Sequence, residues 1–122
     1  MDYRPCRYIS ASVKAAFELS GAQTEQCDGY SAWQPDINSP VLHLSKDVFR
    51  KISGSDPVVN VIHAGLECGT IGQRIPGMDM VSFGPTMKGV HSPDEKVNIP
   101  SVNNFYILLS AILEAIANDS KK

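Results

Sequence analysis

VVNVIHAGLECGTIGQRIPGMDMVSF, residues Val58 to Phe83, is the stretch on which the fold turns. Its first five residues are nearly all β-branched and carry no charge, the pattern of a strand covered on both faces. Ala64-Gly65 breaks the run, and Leu66 to Ile75 reads as a short helix. Pro76-Gly77 closes that helix, and Met78 to Phe83 returns to an apolar run of strand length. Strand, helix and strand in that order imply a right-handed crossover between parallel strands. The expected class is therefore α/β: a small parallel or mixed sheet with flanking helices.

Outward from this unit the sequence is helical. Upstream, Ser39 is a good N-cap and Pro40 suits the first helical position. Val41, Leu44, Val48, Phe49 and Ile52 form an apolar stripe that stops at Gly54. His43 lies off that stripe and reads as solvent-exposed. A first helix is expected from Ser10 to Ser20, with Gly21 as its stop, and a short strand from Thr24 to Cys27. GYSAWQPDINSP, residues 29–40, is rich in turn formers and reads as a boundary, with Trp33 as a packing anchor. Downstream, Val102, Phe105, Tyr106, Leu109, Ile112, Leu113 and Ile116 recur at three and four residues. They predict a helix from Pro100 to Asn118 with one broad apolar face.

Size and composition narrow the function. A chain of 122 residues with 43% hydrophobic residues and a net charge of −2 is a soluble domain able to bury a core. The cations are scattered, with only Lys121-Lys122 adjacent, so no nucleic-acid surface is expected. No continuous apolar run approaches the ~20 residues of a membrane span, so no membrane partner is expected. MDYRPCRY has no apolar core of the signal-peptide kind. Cys6, Cys27 and Cys68 are odd in number and contain no Cys-x-x-Cys pair, which argues against disulfides and zinc fingers and for a reducing cytoplasm.

Chemistry concentrates between His63 and Asn98, which hold two of the three histidines and six of the nine glycines. The turn HAGLECG follows a strand-like run, the place where open α/β sheets bind ligands. Backbone N–H groups at the start of the next helix suit a carboxylate or phosphate. Gly65, Gly69 and Gly72 lack dinucleotide spacing, and Glu67 would repel phosphate, so a nucleotide site is weakly supported. The plain structural reading is that the glycines allow close packing, that Glu67 favours a helix N-terminus, and that His63 is a hydrogen-bonded structural histidine. Ser92-Pro93-Asp94-Glu95 fits a capping box. Such a cap directly behind His91 would aim its imidazole, a common metal ligand, although the same residues could simply start a helical turn. One histidine cannot hold a catalytic metal by itself.

At these residues the chain resembles a known family. Ile62-His63-Ala64-Gly65-Leu66-Glu67-Cys68-Gly69, then Met78-Asp79-Met80-Val81-Ser82-Phe83-Gly84-Pro85-Thr86, then His91-Ser92-Pro93-Asp94-Glu95 with Val97-Asn98-Ile99 are similar to the C-terminal part of the aminoacyl-histidine dipeptidases. These are also called cytosolic non-specific dipeptidases, of the carnosinase-like zinc peptidases. The resemblance implies that residues 1–30 are the end of a lid-like domain and 31–122 the C-terminal portion of a catalytic domain. It implies hydrolysis of Xaa-His and other dipeptides at two zinc ions that share a bridging water, with a glutamate as general base.

His91 would then be a zinc ligand. Glu67, Gly69, Gly84 and His63 would line the substrate side. The family's other ligands sit on a His-x-Asp motif, a glutamate pair and an aspartate in an N-terminal half, and this sequence contains no His-x-Asp. At most one partial zinc site is expected, with no activity as an isolated chain. Self-association, or binding of the missing N-terminal half, is expected at the exposed edge such a piece would leave. The alternatives are a non-catalytic peptide-binding or subunit module that kept the fold and, less well supported, a small anion-binding domain.

Overall fold

Ser39 sets the start of the central helix. In the computed structural model, which describes residues 4–27, 32–62 and 67–119, with side chains from residue 7 onward, α2 runs from Pro40 to Ser53. Ser39 Oγ accepts the Leu42 N–H at 3.0 Å, and Pro40 occupies a position where no N–H is required. Gly54 ends the helix in the left-handed conformation, φ 73°, with its N–H donating to Arg50 O at 2.9 Å. Both ends match the sequence expectation.

The longest helix, α4 (Ile99–Asp119), is capped by Asn98, whose Oδ1 accepts the Ser101 N–H at 3.0 Å. α2 packs on α4, and a small core lies between them. Val48, 7% exposed, and Ile112, 3% exposed, are its buried apolar members. The buried Ser45 hydroxyl is satisfied by Val41 O at 2.7 Å. By length and composition α4 is also apolar enough to cross a membrane, and Ile112 is its buried residue. The first helix, α1, spans Arg4–Leu19, six residues longer at its start than the sequence predicts. Gly21 follows at φ 83°.

Among the described residues the expected parallel sheet is not formed. None of the runs Thr24 to Cys27, Val58 to Ile62 and Met78 to Phe83 is a strand, and of the strand–helix–strand unit only its helix α3 (Glu67–Arg74) is present. The sheet is instead a two-stranded antiparallel hairpin, β1 (Met87–Lys88) against β2 (Lys96–Val97), with Met87 opposite Val97 and Lys88 opposite Lys96. The physical reason lies in the backbone. An apolar β-branched run is a strand only when another segment takes its N–H and C=O groups. Among the described residues, no hydrogen bond reaches the backbone of 58–62 or 81–85. Among the described residues the architecture is thus α/β-like, four helices and one small antiparallel sheet.

The run Met78 to Phe83 is held by side chains in place of a ladder. Asp79 grips the start of α2: its Oδ1 accepts from Ser39 Oγ at 2.5 Å and its Oδ2 from the Val41 N–H at 2.8 Å. Gly72 of α3 gives way to Met80, whose Cε lies 3.0 Å from where a Cβ would stand. Phe83 meets Phe105 of α4 with ring centroids 5.5 Å apart and planes tilted by 51°. A largely apolar cleft of about 690 Å³ remains, walled by Leu42, Phe49, Val58, Phe83, Phe105 and Ile112 among others. The chain exposes 10293 Å². A compact protein of 13.3 kDa exposes about 6,500 Å².

Candidate functional site

His91 sits in the loop that joins β1 to β2, and each residue around it has a task. The loop turns at Gly89, φ 64°, where an added Cβ would meet Asp94 O at 3.0 Å and Ser92 Oγ at 3.1 Å, so a side chain there is excluded. Ser92 closes the turn twice. Its N–H donates to Gly89 O at 3.0 Å and its hydroxyl to the same oxygen at 2.6 Å. The Glu95 N–H donates to Ser92 O at 3.1 Å.

Glu95 reaches back as a capping-box acid does, but its Oε2 accepts the N–H of His91 at 2.9 Å rather than that of Ser92. No helix starts here; β2 follows instead, which corrects the expectation of a helical turn. The physical cause is Gly89, whose left-handed backbone turns the chain into a hairpin before Ser92 can open a helix.

His91 itself adopts φ 64°, and no other non-glycine among the described residues has positive φ. For a residue with a Cβ this is a costly backbone state, held because the loop's hydrogen bonds over-determine it. The loop is anchored in turn. The Thr86 N–H donates to Ser101 Oγ at 2.9 Å, and the Asn98 N–H to Thr86 O at 2.9 Å. The hairpin is thereby stitched to the capped first turn of α4, and the His91 side chain is exposed at its tip.

The other sequence-predicted residues are not gathered around it. Glu67 is exposed in the first turn of α3, where its charge suits the helix dipole. Gly69 is buried in the same helix. Gly84 is exposed on the wall of the cleft, and a Cβ there would meet nothing within 4 Å. His63 lies outside the described residues. The cleft contains Gly84 but none of His91, Glu67 and Gly69, so this cleft and the candidate ligand are separate features.

Two residues of structural weight went unnoticed in the sequence. Asp79 reads as part of an apolar run, yet its carboxyl is held below the usual carboxylate range. The Ser39 hydroxyl contributes most to this, followed by the Val41 N–H. Asn98 reads as the tail of a family motif, yet it caps α4. A signal existed for Asn98, since Asn directly before Ile99-Pro100 fits an N-cap with proline in the first turn. For Asp79 there was none, because its partner is forty residues away in sequence.

The zinc implied by the resemblance can be tested against these donors. Among the described residues, no three of His, Cys, Asp and Glu come together. Glu95, the acid bonded within the loop, is committed to the His91 backbone. A catalytic zinc takes about three protein ligands, so the described residues do not make up a zinc centre, and no chemical step is derived through one.

No family model matches the chain. The cytosol non-specific dipeptidase of Escherichia coli K12 is 45% identical over 109 residues, which are 89% of this chain and 22% of that protein. The crystal structure of the aminoacylhistidine dipeptidase from Vibrio alginolyticus matches with a TM-score of 0.67 at 45% identity, over 89% of this chain and 22% of that one. The chain spans about a fifth of the length of these relatives.

Proposed function

We propose, for a chain that matches the C-terminal portion of the aminoacyl-histidine dipeptidases in sequence and fold, that it is part of a peptide-hydrolase catalytic domain. Its contribution is a single metal donor. His91 supplies one imidazole to a zinc centre whose remaining ligands come from polypeptide outside this chain. Residues 31–122 belong to the catalytic domain and 1–30 to the end of a lid. By the resemblance, Glu67, Gly69, Gly84 and His63 belong to the substrate side, with Xaa-His among the dipeptides, and the setting is the cytoplasm.

One observation carries this reading. His91, exposed like the rest of residues 86–100, stands in a loop tied by hydrogen bonds and anchored to α4. A donor displayed on a rigid support, in a strained backbone state that packing does not need, is how a protein presents a ligand. Without its co-ligands the chain is inactive. Purified and mixed with zinc, it is expected to give no enzyme-like turnover of an Xaa-His dipeptide.

A chimera tests the assignment from the other side. The matched 109 residues of the E. coli dipeptidase are replaced by those of this chain. The chimera is expected to hydrolyse Xaa-His, and H91A within it to lose zinc and activity. The loss should exceed the roughly 10–100-fold that removal of a ligand's supporting partner costs. A chimera whose zinc content ignores H91A ends the ligand role. The second reading is a non-catalytic module that kept the fold. An inactive chimera that still folds would favour it.

A further inference from the structure

We infer that Glu95 is the positioning residue for His91: its side-chain oxygen fixes the left-handed backbone from which the imidazole is displayed. The hydrogen bond that reaches residue 91 itself runs from the His91 N–H to Glu95 Oε2, at 2.9 Å. His91 sits at φ 64°, a backbone state that disfavours any residue with a Cβ. Such a state persists only where its surroundings hold it. The direction of the ring follows from the backbone, because the Cα–Cβ bond is fixed relative to the main chain. Release of φ to the ordinary negative range would swing the Cβ, and the imidazole with it, to another side of the loop.

The residues around the acid place it for this task. In an ordinary capping box it would take the Ser92 N–H. That donor is already spent on Gly89 O at 3.0 Å, so the carboxylate serves the residue before it. Ser92 Oγ is committed as well, donating to Gly89 O at 2.6 Å and accepting the Asp94 N–H at 3.3 Å. The Glu95 N–H donates to Ser92 O at 3.1 Å, which holds the acid's own backbone against the turn. Lys88 and Lys96 flank the loop in β1 and β2. Among the described residues, Glu95 nevertheless forms no ion pair with either.

The hairpin stands without this bond. It is fastened to α4 by the Thr86 N–H on Ser101 Oγ and the Asn98 N–H on Thr86 O, both at 2.9 Å and both away from residue 91. Loss of the Glu95 oxygen should therefore free residue 91 and leave its support in place. The backbone role is a property of this chain alone. Its consequence for metal affinity rests on the reading of His91 as a zinc ligand.

The test compares E95A, which removes the acceptor, with E95Q, whose amide oxygen can still take the N–H. In the metal-free full chain, nuclear magnetic resonance should show the short amide–Hα distance of a left-handed residue at His91 in the wild type and in E95Q. E95A should lose that signature and its His91 amide should exchange as a free loop does, while the Thr86 and Asn98 amides keep their wild-type rates. In the chimera with the E. coli dipeptidase, competition with a zinc chelator should show E95A binding zinc about 10–100-fold more weakly and E95Q close to the wild type. H91A should be weaker still. An E95A chain that keeps the left-handed signature overturns the proposal. So does loosening of Thr86 and Asn98 in E95A, which would make Glu95 a brace of the whole hairpin. An E95Q chimera that loses zinc as E95A does would make the carboxylate a ligand in its own right, and an E95A chimera with wild-type affinity beside a defective H91A would leave Glu95 no role; either result sinks it. If H91A leaves zinc binding unchanged, the ligand reading falls, and the metal-free comparison still decides the role of Glu95.

Discussion

Asp79 shows how much one carboxylate can organise. It joins the run 78–83 to the first turn of α2 through two hydrogen bonds, and both favour its ionised form. Its folded pKa is therefore below its unfolded value near 3.9. The sign follows: this stabilisation is fully present above the unfolded value and is lost as pH falls through the lower, folded one. D79N should lower stability at pH 7 and flatten its acid dependence below about pH 4, as urea melts at pH 7 and pH 3 would show. An unchanged acid limb in D79N would mean that the carboxylate is not the titrating group. His91 is the complementary case, a residue whose strained φ of 64° serves no packing visible around it. Arg50, which bridges Asp47 and Asp56 with its pKa raised chiefly by Asp56, is exposed and structurally minor.

At the level of elements, helices carry this chain and the strand-like runs do not. α2 owes its start to one hydroxyl used in both directions: Ser39 Oγ accepts from the Leu42 N–H and donates to Asp79. S39A should cost about 0.5–2 kcal/mol, towards the upper end because the side chain is buried and serves two partners. S39A and D79A should be non-additive, the double variant losing less than the two single losses together. Thermal melts of all three variants give the coupling, and strict additivity would mean that the bond does not hold the two segments together. The hairpin has a weakness of its own in Lys88 facing Lys96, since like charges directly opposite oppose pairing. Its stability comes from the loop and from the anchor on α4.

For the whole molecule the decisive quantity is surface. Folding from an extended chain removes about 9,000 Å² from water, against about 12,800 Å² for a compact protein of this mass. The urea m-value scales with that area. It should therefore be roughly 30% below that of an ordinary domain of this length, measured where the chain is monomeric. A full-sized value would show that the apolar surface is covered in solution even without association. The same deficit explains why Val48 and Ile112 alone qualify as buried apolar residues among those described.

Sequence by itself determined α2 with both caps, the existence of α1, α3 and α4, and the family blocks around Glu67, Gly84 and His91. A helix satisfies its backbone within four residues, so its caps and period can be read locally. Tertiary structure alone decided that Val58 to Ile62 and Met78 to Phe83 are not strands and that Ser92 to Glu95 closes a hairpin rather than opening a helix. It also decided that Asp79 ties two segments forty residues apart. A strand's hydrogen bonds belong to another segment, and β-branched composition records readiness to pair but not the presence of a partner.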